Sequence, residues 1–274
     1  MNQMSRLAAA LLALSAMGAA SVVQAQSKSA SEEIARYRQM LADGNPAELT
    51  EAQGEGLWKT RRGPKNASLE QCDLGLGAGV TKGAYAQLPR YFADADRVMD
   101  AEARVVWCMS TLQGIAPADA IRKPYSDQGE RATDLEALAA FLATESRGMK
   151  INLPQNHPKE RAAYARGEQT FYYRGGPYDF SCASCHGAEG QRIRLQDLPN
   201  LSGNKAATQL AFSTWPAYRV SQGAVRSMQW RMYDCFRQQR FPELKYTSQT
   251  AIDLITFLGV NAAGGTMDAP AIKR

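Results

Sequence analysis

The chain has 274 residues, with 45% hydrophobic and 22% charged side chains and a formal net charge of +5. This is the composition of an ordinary globular protein and excludes collagen-like, low-complexity and disordered chains. The cationic excess is small and spread along the sequence, which excludes a basic nucleic-acid or membrane-surface tract but suits an anionic substrate or an acidic partner.

Residues 1–25 read as a secretory signal peptide. Arg6 supplies the charged start, the Ala- and Leu-rich run from Leu7 to Ala20 the apolar region, and Val23-Gln24-Ala25 the cleavage site after Ala25. The competing reading is an uncleaved anchor, for which the run is barely long enough. No second segment approaches spanning length, so the mature chain is expected to be free of the membrane and periplasmic. Export permits disulfides among Cys72, Cys108, Cys182, Cys185 and Cys235, and their odd number leaves at least one sulfur another fate.

The elements that follow are helical. Glu32–Ala42 reads as a helix stopped by Gly44-Asn45-Pro46. The pair Gly54-Glu55, followed by Leu57 and Trp58, reads as the start of another. Asp134–Thr144 and Ala251–Gly259 carry apolar residues at helical spacing, and no long alternating strand pattern occurs. The segment from Asn152 to Pro158 has two prolines and no periodicity, as a linker does. The expected layout is mainly α, with two tandem domains, 26–150 and 151–274, each large enough for a small core of its own.

Three echoes relate the halves. Gly54-Glu55 corresponds to Gly167-Glu168, and each Glu lies 17 residues before a cysteine, Cys72 or Cys185. Pro89, Tyr91, Arg104 and Cys108 correspond to Pro216, Tyr218, Arg231 and Cys235, with the same spacings throughout. Leu138, Phe141 and Leu142 correspond to Leu254, Phe257 and Leu258. A shared order with near-constant offsets reads as a domain-sized duplication.

The sharpest motif is Cys182-Ala183-Ser184-Cys185-His186, the signature of c-type haem attachment. Two thiols three residues apart can meet the two haem vinyl groups from one helical turn, and the adjacent imidazole can bind the iron. A zinc knuckle would need further ligands, and the chain has only one other histidine, His157, which reads as a solvated loop residue. A thioredoxin-like motif expects a β-α-β setting. A plain disulfide leaves His186 unexplained.

Laying Cys72 on Cys185 puts Leu69 at the place of Cys182 and Asp73 at that of His186. The first half is therefore expected to hold no haem, leaving Cys72 and Cys108 facing one another across the vacated pocket as a disulfide. It would close a loop of about 36 residues and contribute roughly 3–4 kcal/mol; the alternative is two buried free thiols. By the same repeat Cys235 falls on the distal side of the second-half haem, where Met228, Met232 and Met267 compete with it as ligands and a buried small hydrophobe is the plain reading. Arg231 lies one helical turn before Cys235; together with ferric iron it would favour a thiolate there, and its planar fork would fit an oxyanion. Arg237 and Arg240 read as a solvated helix face.

These residues resemble the SoxA family of thiosulfate-oxidation cytochrome subunits. The likeness runs through Gly63–Gly75, Leu88–Phe92, Cys182–His186 and the Arg231/Cys235 pair. It implies two cytochrome c-like domains, one covalent haem c, a SoxX cytochrome partner and L-cysteine S-thiosulfotransferase activity, in which thiosulfate is joined oxidatively to a cysteine of the SoxYZ carrier. In the family the distal haem ligand is a cysteine, often a persulfide, taken as the active sulfur. That maps onto Cys235, with Arg231 as the arginine before it. Some members carry a first-domain haem; Leu69 and Asp73 place this chain with the single-haem type. The competing functions are a periplasmic electron carrier with no catalytic site of its own and a structural subunit whose partner does the chemistry.

Overall fold

A computed structural model describes residues 36, 37, 40, 44–193 and 196–274. The expected signal peptide lies outside the described residues, as does most of the expected helix Glu32–Ala42. The contacts divide the chain into two units. In the first, the described residues Arg36, Tyr37 and Met40 are helical; the second, Leu41–Arg274, contains all the elements below.

The helices are α1 (Ala47–Lys59), α2 (Ala101–Cys108), α3 (Pro117–Ala120), α4 (Asp134–Thr144), α5 (Pro158–Tyr172), α6 (Cys182–His186), α7 (Lys205–Ser213), α8 (Met228–Gln238) and α9 (Gln249–Asn261). The strands are short: the hairpins β1 (Arg90–Phe92)/β2 (Arg97–Met99) and β3 (Arg192–Ile193)/β4 (Gln196–Asp197), and a three-stranded sheet in the order β6 (Ala224–Arg226), β5 (Ala217–Arg219), β7 (Ala271–Lys273). The mainly α expectation holds, and α4 spans the residues read from its periodicity.

The duplication is visible in the pairing of elements. α1 packs on α4, and α5 packs on α9. β1/β2 pairs Arg90 with Met99, and β5/β6 pairs the equivalent Ala217 with Arg226, in the same antiparallel register. Each first strand follows a cis proline, Pro89 or Pro216. Each hairpin leads into a helix capped by a side chain that accepts from the third backbone N–H, Asp100 for α2 and Ser227 for α8.

Three readings need correction. Gly54 and Gly167 do not begin helices; they lie inside α1 and α5, where a missing Cβ lets the partner helix approach closely. The halves do not have separate cores. One cluster runs from Trp58, Leu138 and Phe141 through Ile151 and Leu153 to Phe171, Ile252 and Phe257, so the linker segment contributes core side chains. His157 is not a free loop residue. It caps α5, its Nδ1 accepting from Lys159 N at 3.2 Å, and its ring stacks on Tyr91 at 3.6 Å between centroids.

Polar contacts also join the halves. Buried Arg226 donates to Glu136 Oε1 at 2.7 Å and to the Ser126 carbonyl at 2.8 Å. Gln229 Nε2 donates to Asp100 Oδ2 at 2.6 Å, and Tyr91 N donates to Glu160 Oε1 at 2.9 Å. A small internal cavity touched by Asp100, Glu102, Trp215 and Met228 belongs to this seam and includes none of the free cysteines.

Candidate haem and sulfur site

The site rests on α6 and α8. α6 is a single turn held at both ends. Ser181 Oγ accepts from Ser184 N at 3.1 Å, Ser184 Oγ accepts from Ser181 N at 3.0 Å, and Gly187 N closes the turn on the Ala183 carbonyl at 2.8 Å. A Cβ at position 187 would lie 2.6 Å from that carbonyl oxygen. The turn places Cys182, Cys185 and His186 together, and both thiols are free and partly buried.

His186 is oriented by the loop after it. Its Nδ1 lies 2.8 Å from the Pro199 carbonyl, which can only accept, so the proton sits on Nδ1 and Nε2 keeps its lone pair. Metal-bound histidines are held in this way, the far nitrogen tied to a carbonyl. The loop itself is fixed by Leu201 N donating to the His186 carbonyl at 2.8 Å and by Gly203 N donating to Asn200 Oδ1 at 2.8 Å. Burial lowers the His186 pKa, and the Arg231 cation adds to the fall. The neutral imidazole needed for ligation is thereby favoured.

α8 carries the other half of the site. Arg231 and Cys235 lie one turn apart, with Asp234 between them. Arg231 Nη1 reaches Asp234 Oδ2 at 3.4 Å, while the same carboxylate accepts from Arg237 Nη2 at 2.9 Å and Gln238 Nε2 at 2.7 Å. Cys235 is within electrostatic reach of Cys185, Cys182, Arg231 and Arg219. The sequence-derived set Cys182, Cys185, His186, Arg231 and Cys235 is therefore gathered in one place. Met228, Met232 and Met267 pack in the shared core.

Arg231 acts on Cys235 in the expected direction, against burial. Burial raises the Cys235 thiol pKa more than Arg231 lowers it, and Asp234 adds to the rise. Desolvation outweighs the arginine in the net shift. Burial also pushes the Cys182 thiol up to about 12.

Fit to a c-type haem can be judged from these groups. Two free thiols on one turn, a neighbouring imidazole with Nε2 available and its tautomer fixed, and a soft sulfur on the facing helix form a suitable donor set.

The equivalent place in the first half is differently filled. Cys72 and Cys108 form a disulfide. Leu69 is fully buried. Asp73, where a histidine would stand, turns its Oδ1 to its own loop and accepts from Gly75 N at 2.6 Å and Gly77 N at 3.0 Å. Arg104, the counterpart of Arg231, donates to the Asp73 carbonyl at 2.7 Å and to Asp94 Oδ1 at 2.8 Å.

Two contributors were missed in the sequence. Pro199 acts through a carbonyl, which no side-chain pattern reveals. Arg219 sits within the strict repeat, and the signal was its difference from Phe92 at the matching position.

Comparison with known proteins bears on the family and the fold. The family model described as "SoxA/TsdA, cytochrome c domain" matches residues 53–151, the half that lacks the Cys182–His186 motif. The chain is 50% identical over 241 residues to the L-cysteine S-thiosulfotransferase subunit SoxA of Hydrogenophilus thermoluteolus, covering 88% of this chain and 87% of that one. It is 32% identical over 266 residues to a SoxA subunit of the same description from Hydrogenobacter thermophilus, covering 95% and 96%. Its fold is similar to a crystal structure of SoxXA from P. pantotrophus, with a TM-score of 0.70 at 21% identity over 87% of this chain and 84% of that chain.

Proposed function

The chain belongs to the SoxA family of L-cysteine S-thiosulfotransferase subunits, and we propose that its C-terminal half, 151–274, carries a single covalently attached haem c and the reacting sulfur. Cys182 and Cys185 would bind the porphyrin through thioethers, and His186 and Cys235 would ligate the iron. The first half, 26–150, holds no haem: Leu69 and Asp73 supply neither thiol nor imidazole, and the Cys72–Cys108 disulfide consumes the remaining sulfur. The observation that carries this reading is the His186 Nδ1 to Pro199 carbonyl bond of 2.8 Å, which prepares Nε2 for a metal beside two free thiols.

The enzyme joins thiosulfate to a carrier cysteine, R–SH + S2O3²⁻ → R–S–S–SO3⁻ + H⁺ + 2e⁻. Arg231 receives the sulfonate end, its fork matching two oxygens. Asp234 holds Arg231 by one long contact of 3.4 Å, its carboxylate being shared with Arg237 at 2.9 Å and Gln238 at 2.7 Å. Cys235, on the same face one turn on, would take the outer sulfur as Cys235–S–S–SO3⁻ with loss of a proton and two electrons, and exchange with the carrier thiol would release R–S–S–SO3⁻ and restore the Cys235 thiol. When bound, haem supplies a one-electron acceptor, so a two-electron reaction needs a second acceptor, which is the part assigned to SoxX. The carrier is SoxYZ. A signal peptide ending at Ala25 and the disulfide support a periplasmic location.

The test is the intact mass of the mature protein. One haem per chain is expected, lost on replacing Cys182 and Cys185 with alanine. A second haem retained by that variant would overturn the assignment.

A further inference from the structure

The repeat contains one replacement that packing does not require. From Leu88 to Cys108 and from Trp215 to Cys235 the offset is constant, so Phe92 and Arg219 are equivalent: each ends its strand, opposite Arg97 and Ala224 respectively. Phe92 is buried, and Arg104 lies 4.0 Å above its ring. Arg104 donates through Nε to the Asp73 carbonyl and through Nη1 to Asp94. The first half thus uses an aromatic plug and a satisfied cation.

The second half has two cations in that space. Arg219 Nε is buried without a hydrogen-bond partner. Its guanidinium carbon lies 5.9 Å from the Trp230 ring centroid, beside Arg231 in the chain. Asp234 and Cys235 are within its electrostatic reach, but the Asp234 carboxylate is taken by Arg231, Arg237 and Gln238. Burial and the like charge of Arg231 both work against the Arg219 cation. Arg226, on the same tryptophan at 5.0 Å, is by contrast satisfied by Glu136, Ser126 and Gln222. A buried donor with no acceptor destabilises the free protein and is relieved when an anion arrives.

We propose that Arg219 and Arg231 form a two-guanidinium clamp beside Cys235 that binds the sulfonate end of thiosulfate, with Arg219 a substrate-binding residue of the reaction. The inference rests on the thiosulfotransferase reading above. Two forks converging on one tetrahedral anion fix its direction, leaving the outer sulfur aimed at Cys235.

The experiment uses the haem-loaded protein with its cytochrome partner, in wild-type form and as Arg219→Gln, Arg219→Lys and Arg219→Phe. The phenylalanine variant copies the first half, so its folding is supported by an existing example and is checked by circular dichroism. Equilibrium dialysis with labelled thiosulfate, carrier absent, is expected to show binding weakened roughly 10- to 100-fold in the glutamine and phenylalanine variants and partly restored by lysine. The KM for thiosulfate should rise by a similar factor while kcat changes far less, and the haem absorption spectrum and reduction potential should not move. Unchanged thiosulfate binding in both variants overturns the clamp. Unchanged binding with a shifted spectrum or potential also overturns it and assigns Arg219 to a haem carboxylate. A wild-type protein that neither binds nor conjugates thiosulfate refutes the thiosulfotransferase reading itself, which separates the two failures.

Discussion

Gly54 and Gly167 mark the same helix crossing twice: a Cβ at either position would lie 2.0 Å from a carbonyl oxygen of the partner helix, Ala137 in one case and Asp253 in the other, and 2.8 Å from the Cβ of Phe141 or Phe257. Backbone cannot yield as a flexible side chain can. Alanine at either site should therefore force α1 from α4, or α5 from α9, at a cost of roughly 2–3 kcal/mol. Urea denaturation of each single variant measures this, and a loss under about 0.5 kcal/mol would show that the crossing relaxes freely.

The Cys72–Cys108 bridge spans 36 residues. Replacing both cysteines by alanine should lower stability by roughly 2–4 kcal/mol, with haem content unchanged. Loss of haem in that variant would contradict this and show that the shared core carries the damage into the second half.

Arg226 and Glu136 form an ion pair across the seam at 2.7 Å, with side-chain exposures of 3% and 1%. Glu136→Gln strands the arginine charge in the core and should cost roughly 3–5 kcal/mol by denaturation. Replacing both residues with apolar ones of similar size should cost much less. Equal losses in the single and double variants would contradict a desolvation origin.

Glu102 is buried beside Asp100, and both effects raise its pKa, burial more than charge. In the unfolded chain it ionises near the ordinary carboxylate value, so above that pH the folded state holds the extra proton. Stability must then fall as pH rises from the unfolded pKa towards the folded one. Glu102→Gln should flatten this fall and stabilise the protein at pH 8 relative to pH 5. Denaturation midpoints at the two pH values decide it; a variant with the wild-type slope would contradict it.

The Cys182–His186 turn stood out in the sequence because its chemistry is local: two thiols and an imidazole within five residues need no tertiary information. Cys235, Arg231 and the disulfide were legible through the duplication, which transfers positions from one half to the other. What the sequence hid depends on partners. The shared core was hidden because Ile151 and Leu153 sit among linker prolines and carry no period. Gly54 looked like a helix start because a glycine inside a helix is justified only by a neighbour that the sequence does not show. His157 looked free because its stacking partner, Tyr91, lies far away in the chain. The net rise of the Cys235 pKa follows from burial, which no adjacent arginine reveals.

The most direct test of the central claim, that Cys235 is the reacting sulfur of a haem-bearing C-terminal half, is the rate of thiosulfate conjugation by Cys235→Met holoprotein with its partner and carrier. The account predicts a protein with its full haem complement and no measurable conjugation. Conjugation at the wild-type rate would contradict it and leave the chain an electron carrier.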